Sequence, residues 1–392
     1  MDMYLQFGHG MTKLCCDLVE KCRDGTVILS PRDLSEKALK EFSFKLTKIN
    51  GKTLFDPQYY NPKANHKKLI KHPHWLENCN TSLLSDFKYI KEHIERIKTI
   101  NDDINSSAYI IPSIVCSNVD NAWIKHHEIF LNMSDILRNK ERFITLALKK
   151  EVLENEDDIE TLIRISSKWD VDGYYIVPES PYLNESGLFL SNLGLLVAGL
   201  KLQNRKVIIG YANHQMLYLA CTKADAIASG TFLNVRSFNT NKFNDRNNNS
   251  ISRRATWYYC PQAFSEYRIS ILDTAQRENV LDEFRPYGEL NEYSKDVFLS
   301  SKPSESSFSE KLAFKHYLFE LRKQCLLGTK KTFNETVVYH EVLIKQAIDF
   351  LRSMNKHKVY DSMRCFNSIV DGNIYAINKI KDEIGLLLEA NW

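Results

Sequence analysis

No run of about 18 apolar residues occurs in this chain, so no membrane span is expected. Its first residues, "MDMYLQFGHGMTKLCC", lack a basic stretch followed by an apolar one, and no secretory signal is expected. No CxxC pair exists among the nine cysteines. That odd number in a chain of 392 residues argues against a disulfide framework and for reduced, mostly core-packed thiols in a cytoplasmic protein. Internal repeats are absent. An excess of charge of one sign is absent too: the net charge is +3, so any contact with nucleic acid must rest on local patches. What remains is an ordinary globular composition, 43% apolar and 26% charged, in a length that can bury a large core.

Eight short apolar runs rich in β-formers each end in a polar or proline-containing tip. They are 25–33, 52–60, 108–118, 142–151, 172–180, 206–215, 224–232 and 255–263. Continuous apolar strands suit a parallel sheet covered on both faces. Helical patterns such as "SEKALKEFSFKL" and "LSNLGLLVAGLKLQ" lie between most of them. The alternation predicts an α/β fold, a (β/α)8 TIM-type barrel of roughly 250 residues with a C-terminal helical extension. The expected boundaries are 1–265 for the barrel, with a helical insertion at about 61–107, and 266–392 for the helical region packed on it. Residues 239–254, "NTNKFNDRNNNSISRR", read as a polar, asparagine-rich loop ending in a basic pair.

A TIM barrel carries its site at the C-terminal ends of its strands. That rule selects Arg32, Asp33, Asp56, Gln58, Cys116, Asn118, Glu151, Glu179, Asn213, His214, Ser229, Gly230 and Arg236. Asp56 follows "TLF" and precedes Pro57, so its strand must end there. Its carboxylate can accept from a guanine-like N1–H and exocyclic amine, or cap its own D-P-Q turn. Glu179, after "YIVP", is a second acid at a tip, or else a surface turn residue. His214 enters a helix and contacts either substrate or backbone. Cys116 suits a core more than a nucleophile. The stretch "NHKKLIKHPHW" holds three histidines in no standard metal spacing; it reads as a phosphate-binding surface or a solvated helix end. Lys67, Lys68, Arg246, Arg253 and Arg254 are the candidate contacts to nucleic-acid phosphates.

"GYANHQMLYLACTKADAIASGTFLNVRSF" resembles the archaeosine branch of the tRNA-guanine transglycosylase superfamily. Asn213-His214-Gln215-Met216-Leu217 matches the family's G-H-P-M-M-like turn. Lys223 to Phe232 matches its G-C-D-L-F-D-S-A-S-Y-like strand, and Asp56 in "LFDPQYY" matches its early base-site aspartate. The likeness covers roughly 205–265; the rest of the barrel follows by pattern. It implies a barrel that exchanges guanine in nucleic acid for a 7-deazaguanine, with one branch acting on DNA.

The departures are specific. Ala228 stands where the family has its nucleophilic aspartate, and alanine forms no covalent intermediate. Of the family's zinc ligands only Cys260 and His316 have counterparts, so no metal or other cofactor is expected. Asp225 lies three residues before Ala228, on the opposite side of an alternating strand. Two expectations follow. In one, the chain is a transglycosylase-like enzyme, a pentosyltransferase acting on a guanine or 7-deazaguanine base, in DNA rather than tRNA, with Asp56 or Glu179 as the acid. In the other, it is a catalytically inactive module of the same fold that binds a nucleobase or nucleic acid and signals to a partner protein of a defence or modification system.

Overall fold

A computed structural model describes residues 1–76, 83–244 and 255–392. Eight parallel strands, β1 (Asp2–Gln6), β2 (Gly25–Leu29), β3 (Gly51–Phe55), β4 (Tyr109–Ile111), β5 (Arg142–Leu148), β6 (Gly173–Pro178), β7 (Lys206–Ile209) and β8 (Ala226–Ser229), form one sheet. Their order is β3-β2-β1-β8-β7-β6-β5-β4. The sheet curls until β3 and β4 come together, where the Ser107 amide and hydroxyl both donate to the Thr53 carbonyl, at 2.9 and 3.1 Å. The result is a nearly closed α/β barrel of TIM type.

Seven of the eight expected strands lie in this barrel; the eighth does not. The first strand is β1, which opens the chain and pairs with both β2 and β8. The run at 255–263 instead supplies β9 (Trp257–Cys260), which pairs antiparallel with β10 (Ser265–Arg268) outside the barrel. The reason is local. Pro261 starts a single 3-10 turn after Cys260, and Phe264 takes a left-handed φ of 44°, so the chain reverses at once. Parallel pairing needs a crossover of a dozen residues or more. The segment 61–107 contains the helix that joins β3 to β4, Phe87–Asp103. Asp86 caps it by accepting from the Lys88 and Tyr89 amides, and Ile90, Ile94, Ile97 and Ile100 form its buried stripe.

The C-terminal helices Glu310–Gly328, Phe333–Lys356 and Val370–Ala390 pack on the barrel beside the β9–β10 hairpin. Helix Val370–Ala390 lies against the barrel helix Gly187–Leu202. That approach needs Gly194, because a Cβ there would fall 2.4 Å from Ile380. Helix Gly187–Leu202 is consequently buried almost all round, which its "LSNLGLLVAGLKL" sequence matches. Among the described residues, no helix is long and apolar enough to cross a membrane.

Candidate functional site

β3 delivers Asp56 to the C-terminal end of the barrel, where the residue is 1% exposed. Gln58 turns the chain back with a left-handed φ of 55°. Asp56 Oδ1 accepts from the Gln58 amide at 3.0 Å. Oδ2 accepts from the hydroxyls of Tyr60 at 2.7 Å, Tyr211 at 3.0 Å and Tyr175 at 3.4 Å. Asp56 thus closes its own turn and also anchors a tyrosine cluster reaching across the barrel. Gln58 joins the cluster by donating from Nε2 to the Tyr211 hydroxyl at 3.0 Å, and its Oε1 accepts from Ser30 and the Arg32 amide, each at 3.2 Å. Tyr211 also has a left-handed φ, 54°. Two bonded side chains therefore rest on backbone conformations that non-glycine residues seldom adopt, which is the kind of strain that concentrates at functional sites.

Burial raises the Asp56 pKa, and the donors from Tyr60, the Gln58 amide and Tyr211, together with the charge of Lys242, offset only part of that rise. Beside Asp56, Gln6 at the end of β1 accepts from Tyr175 through Oε1 at 3.1 Å, while its buried Nε2 has no partner. The segment from Phe232 to Asn244 covers this group. Phe238 and Phe243 lie 4.9 and 5.3 Å from the Tyr60 ring, and Lys242 Nζ sits 3.3 Å from the centre of the Tyr211 ring. The cover is tied down at both sides. Glu179 accepts from the Thr240 amide and hydroxyl at 3.2 and 3.3 Å, and the His66 amide donates to the Phe243 carbonyl at 3.1 Å. Glu179 therefore holds the cover through Thr240 rather than joining the tyrosine cluster around Asp56.

The other tips gather elsewhere. Asn213, Gly230 and Arg236 meet around Glu266 of β10, with His214 beside them, where the barrel contacts the C-terminal region. Arg236 clamps Glu266 at 3.1 and 3.2 Å and donates from Nε to the Gly230 carbonyl at 2.8 Å. Arg364 donates to Glu266 at 3.0 Å, and the Tyr182 hydroxyl also donates to this carboxylate. Asn213 donates to the Arg236 carbonyl at 3.1 Å. The Arg236 guanidinium lies 3.5 Å from the centre of the Tyr317 ring. Burial lowers the His214 pKa to about 4. Burial also raises the pKa of the Glu266 carboxyl, but Arg236 and Arg364 outweigh it and leave it below its ordinary value. Ser229, at the end of β8, is buried as well.

Cys116 is buried, donates to the Asn118 carbonyl at 3.3 Å and has a pKa raised by burial to about 12, which removes its thiolate at neutral pH. Asn118, Glu151, Lys67 and Lys68 are exposed. Arg246, Arg253 and Arg254 lie outside the described residues. Arg32 is buried and paired with Asp33 at 3.1 Å. The expected surface around the histidines is replaced by packing: His72 and His74 are buried and bond the Leu34 and Pro57 carbonyls at 2.9 and 2.8 Å. His316 bonds the Tyr259 carbonyl at 2.7 Å and Asn291 at 2.9 Å, and it stacks on Tyr258. Among the described residues, no cluster of three or more His, Cys, Asp or Glu could hold a metal ion. Asp225 stands at the opposite end of the barrel, paired with Lys201 at 2.7 Å, beside a cavity of about 280 Å³.

Sequence reasoning missed Tyr60, Tyr175, Tyr211, Lys242 and Glu266. The first three were visible only as apolar or aromatic members of their strands and tips; Lys242 lay in a polar loop, and nothing local marks Glu266.

No family model matches the chain, and no curated protein matches it. Among solved structures it is similar to a Thermobacillus composti GH10 xylanase, at 7% identity and a TM-score of 0.37, over 58% of this chain and 83% of that one. A likeness of that size carries no argument for activity.

Proposed function

We propose that this chain is a transglycosylase-like protein that holds a guanine-type base of DNA at Asp56. The observation that carries the reading is the pairing of a buried acceptor with an unpaired donor: the Asp56 carboxylate and, beside it, the free Nε2 of Gln6. A guanine or 7-deazaguanine offers two adjacent N–H donors and one carbonyl acceptor, which complement that pair. Tyrosine hydroxyls satisfy Asp56 when no base is present, so the buried charge is never left without donors. The rings of Tyr60, Tyr211, Phe238 and Phe243 offer faces for stacking, and entry requires the cover from Phe232 to Asn244 to lift. A base that enters must leave its stack in the duplex.

Recognition without exchange is the second reading, and Ala228 favours it. The position carries a methyl group buried inside β8, where the resembling family has its acid. In that reading the lifted cover is the signal to a partner protein. Mass spectrometry of nucleosides from DNA and tRNA, in cells with and without the protein, separates the two. Exchange is expected to change a guanine-derived nucleoside in DNA. Binding of guanine-containing DNA that weakens by about 2–4 kcal/mol in Asp56→Asn, with nucleosides unchanged, supports recognition alone. Binding indifferent to Asp56→Asn defeats both.

A further inference from the structure

A second cavity opens in the C-terminal region. Its volume is about 270 Å³, close to the lower end of the range typical of small-ligand sites, roughly 300–1,000 Å³. The last turns of helix Phe333–Lys356 supply Leu351, Arg352 and Asn355 to one side, and the segment that follows supplies Val359 and Tyr360 to the other. That segment is fixed against β10. The Glu266 amide donates to the Arg364 carbonyl at 3.0 Å, the Phe366 amide to Ser265 Oγ at 2.9 Å, and Arg268 Nε to Asp361 at 2.7 Å. The walls are therefore set before any ligand arrives.

Tyr267 of β10 lines the same cavity. It is 1% exposed, and its hydroxyl is buried without a hydrogen-bond partner. Burial pushes the pKa of this hydroxyl up, and Cys260, Cys365 and Asp361 add to the rise; the last two also line the cavity. A buried hydroxyl with no partner costs free energy, and a ligand with a polar edge removes that cost. Asn355 and Asn367 add two amides to the lining, each with donors and an acceptor. The Tyr360 ring is exposed at the rim. The charges nearby are mostly positive. Asp361 is paired with Arg268, and Asp349 lies 4.0 Å from Arg352. Lys356 and Lys358, which flank the lining residues Asn355 and Val359 in sequence, have no carboxylate partner among the described residues.

We infer that this cavity binds one nucleotide, its base against Tyr360 and hydrogen-bonded to the Tyr267 hydroxyl, its phosphate on Arg352, Lys356 and Lys358. A base edge carries both donors and acceptors, which suits a hydroxyl and two amides, and its face stacks on an aromatic ring whatever the base. A phosphate meets cations that no carboxylate has neutralised. An aromatic peptide side chain fits the apolar wall of Leu351 and Val359 but brings no anion to these cations. The nucleotide can be free or part of a single strand, since the recognising chemistry is the same. The site is separate from Asp56 and does not rest on the reading given to that residue.

The full chain is titrated by calorimetry with 5′-dAMP, with a short single strand of deoxyadenylate, and with N-acetyltyrosinamide as a peptide analogue. None of these carries guanine, so Asp56 is not engaged. Saturable nucleotide binding is expected, weakened on the order of tenfold in Tyr360→Ala and about three- to tenfold in Tyr267→Phe. Both variants should melt no earlier than the parent, because Tyr360 is exposed and the Tyr267 hydroxyl has no partner to lose. A strand that binds no tighter than 5′-dAMP identifies the free nucleotide as the source. A strand that binds tighter, with a log–log salt slope reduced by about 0.7 in Arg352→Gln, identifies nucleic acid. No nucleotide binding, binding of N-acetyltyrosinamide in its place, or binding indifferent to Tyr267→Phe and Tyr360→Ala overturns the site. Guanine-dependent DNA binding that persists in that event, and is lost in Asp56→Asn, leaves the Asp56 reading in place.

Discussion

Asp56 and Glu266 are both buried carboxylates at the C-terminal end of the barrel, each 2% exposed or less, and they are held by opposite means. Glu266 has two guanidiniums, from Arg236 and Arg364, and its pKa is lowered despite burial. Asp56 has hydroxyls and one backbone amide, and its pKa is raised. A charge countered by charge is settled in one protonation state and joins two parts of the fold. A charge whose hydrogen-bond donors are all neutral keeps most of its desolvation cost, even with an amine such as Lys242 nearby, and that cost is what a ligand's N–H groups can exploit. The difference teaches where to look for function: at the acid whose partners can be exchanged without stranding a buried cation.

The largest expected effect tests the settled acid. Glu266→Gln leaves Arg236 buried without its counter-charge and should lose about 3–5 kcal/mol of stability in urea unfolding. A loss below 1 kcal/mol, as for an ordinary surface pair, would break the contrast.

Next comes pH, where the two acids should act with opposite sign. The Glu266 contribution is present above its unfolded pKa near 4.5 and is lost as pH falls through the lower folded value. The Asp56 contribution is present below its unfolded pKa near 3.8 and is lost as pH rises through the higher folded value. Each tenfold difference in acidity between folded and unfolded states corresponds to about 1.4 kcal/mol. Stability curves of the parent, Glu266→Gln and Asp56→Asn, compared across the acid range, resolve the two signs. Parallel curves would mean that the acids are held alike.

The smallest expected change is in the stability of Asp56→Asn at neutral pH. An amide keeps one acceptor for the tyrosine hydroxyls and carries no charge to desolvate, so melting should shift by less than about 1 kcal/mol while base binding falls. A large loss of stability would make Asp56 a structural acid like Glu266.

Much of the scaffold was legible beforehand because a parallel barrel writes itself as repeated apolar runs. Phe143 to Leu148, or Tyr174 to Val177, are buried on both faces and could hardly be anything else. β1 escaped notice because five residues at the start of a chain, with Asp2 and Gln6 at their ends, show too little period. The aromatic run of β9 looked like a barrel strand because burial alone does not distinguish a parallel partner from a tight reversal. Asp56 was readable from its place before Pro57. Its partners were not, since a tyrosine in an apolar run gives no sign of which way its hydroxyl points.

Strand composition, helix caps and the tip position of Asp56 are local properties, set by neighbours a few residues away, and they can be read from the residues alone. Which tips meet is a property of barrel closure. Tyr175 of β6 and Tyr211, just past the end of β7, reach Asp56 from more than a hundred residues away in sequence, and Arg236 finds Glu266 only because the hairpin folds back onto the barrel. The same holds for the cover. Its polar sequence suggested an exposed loop, yet Phe238, Lys242 and Phe243 are buried, because the tyrosine rings beneath them offer apolar faces that water covers poorly. The free energy that orders the loop comes from contacts with surfaces the loop itself does not contain, so its burial follows from barrel closure and not from its own residues.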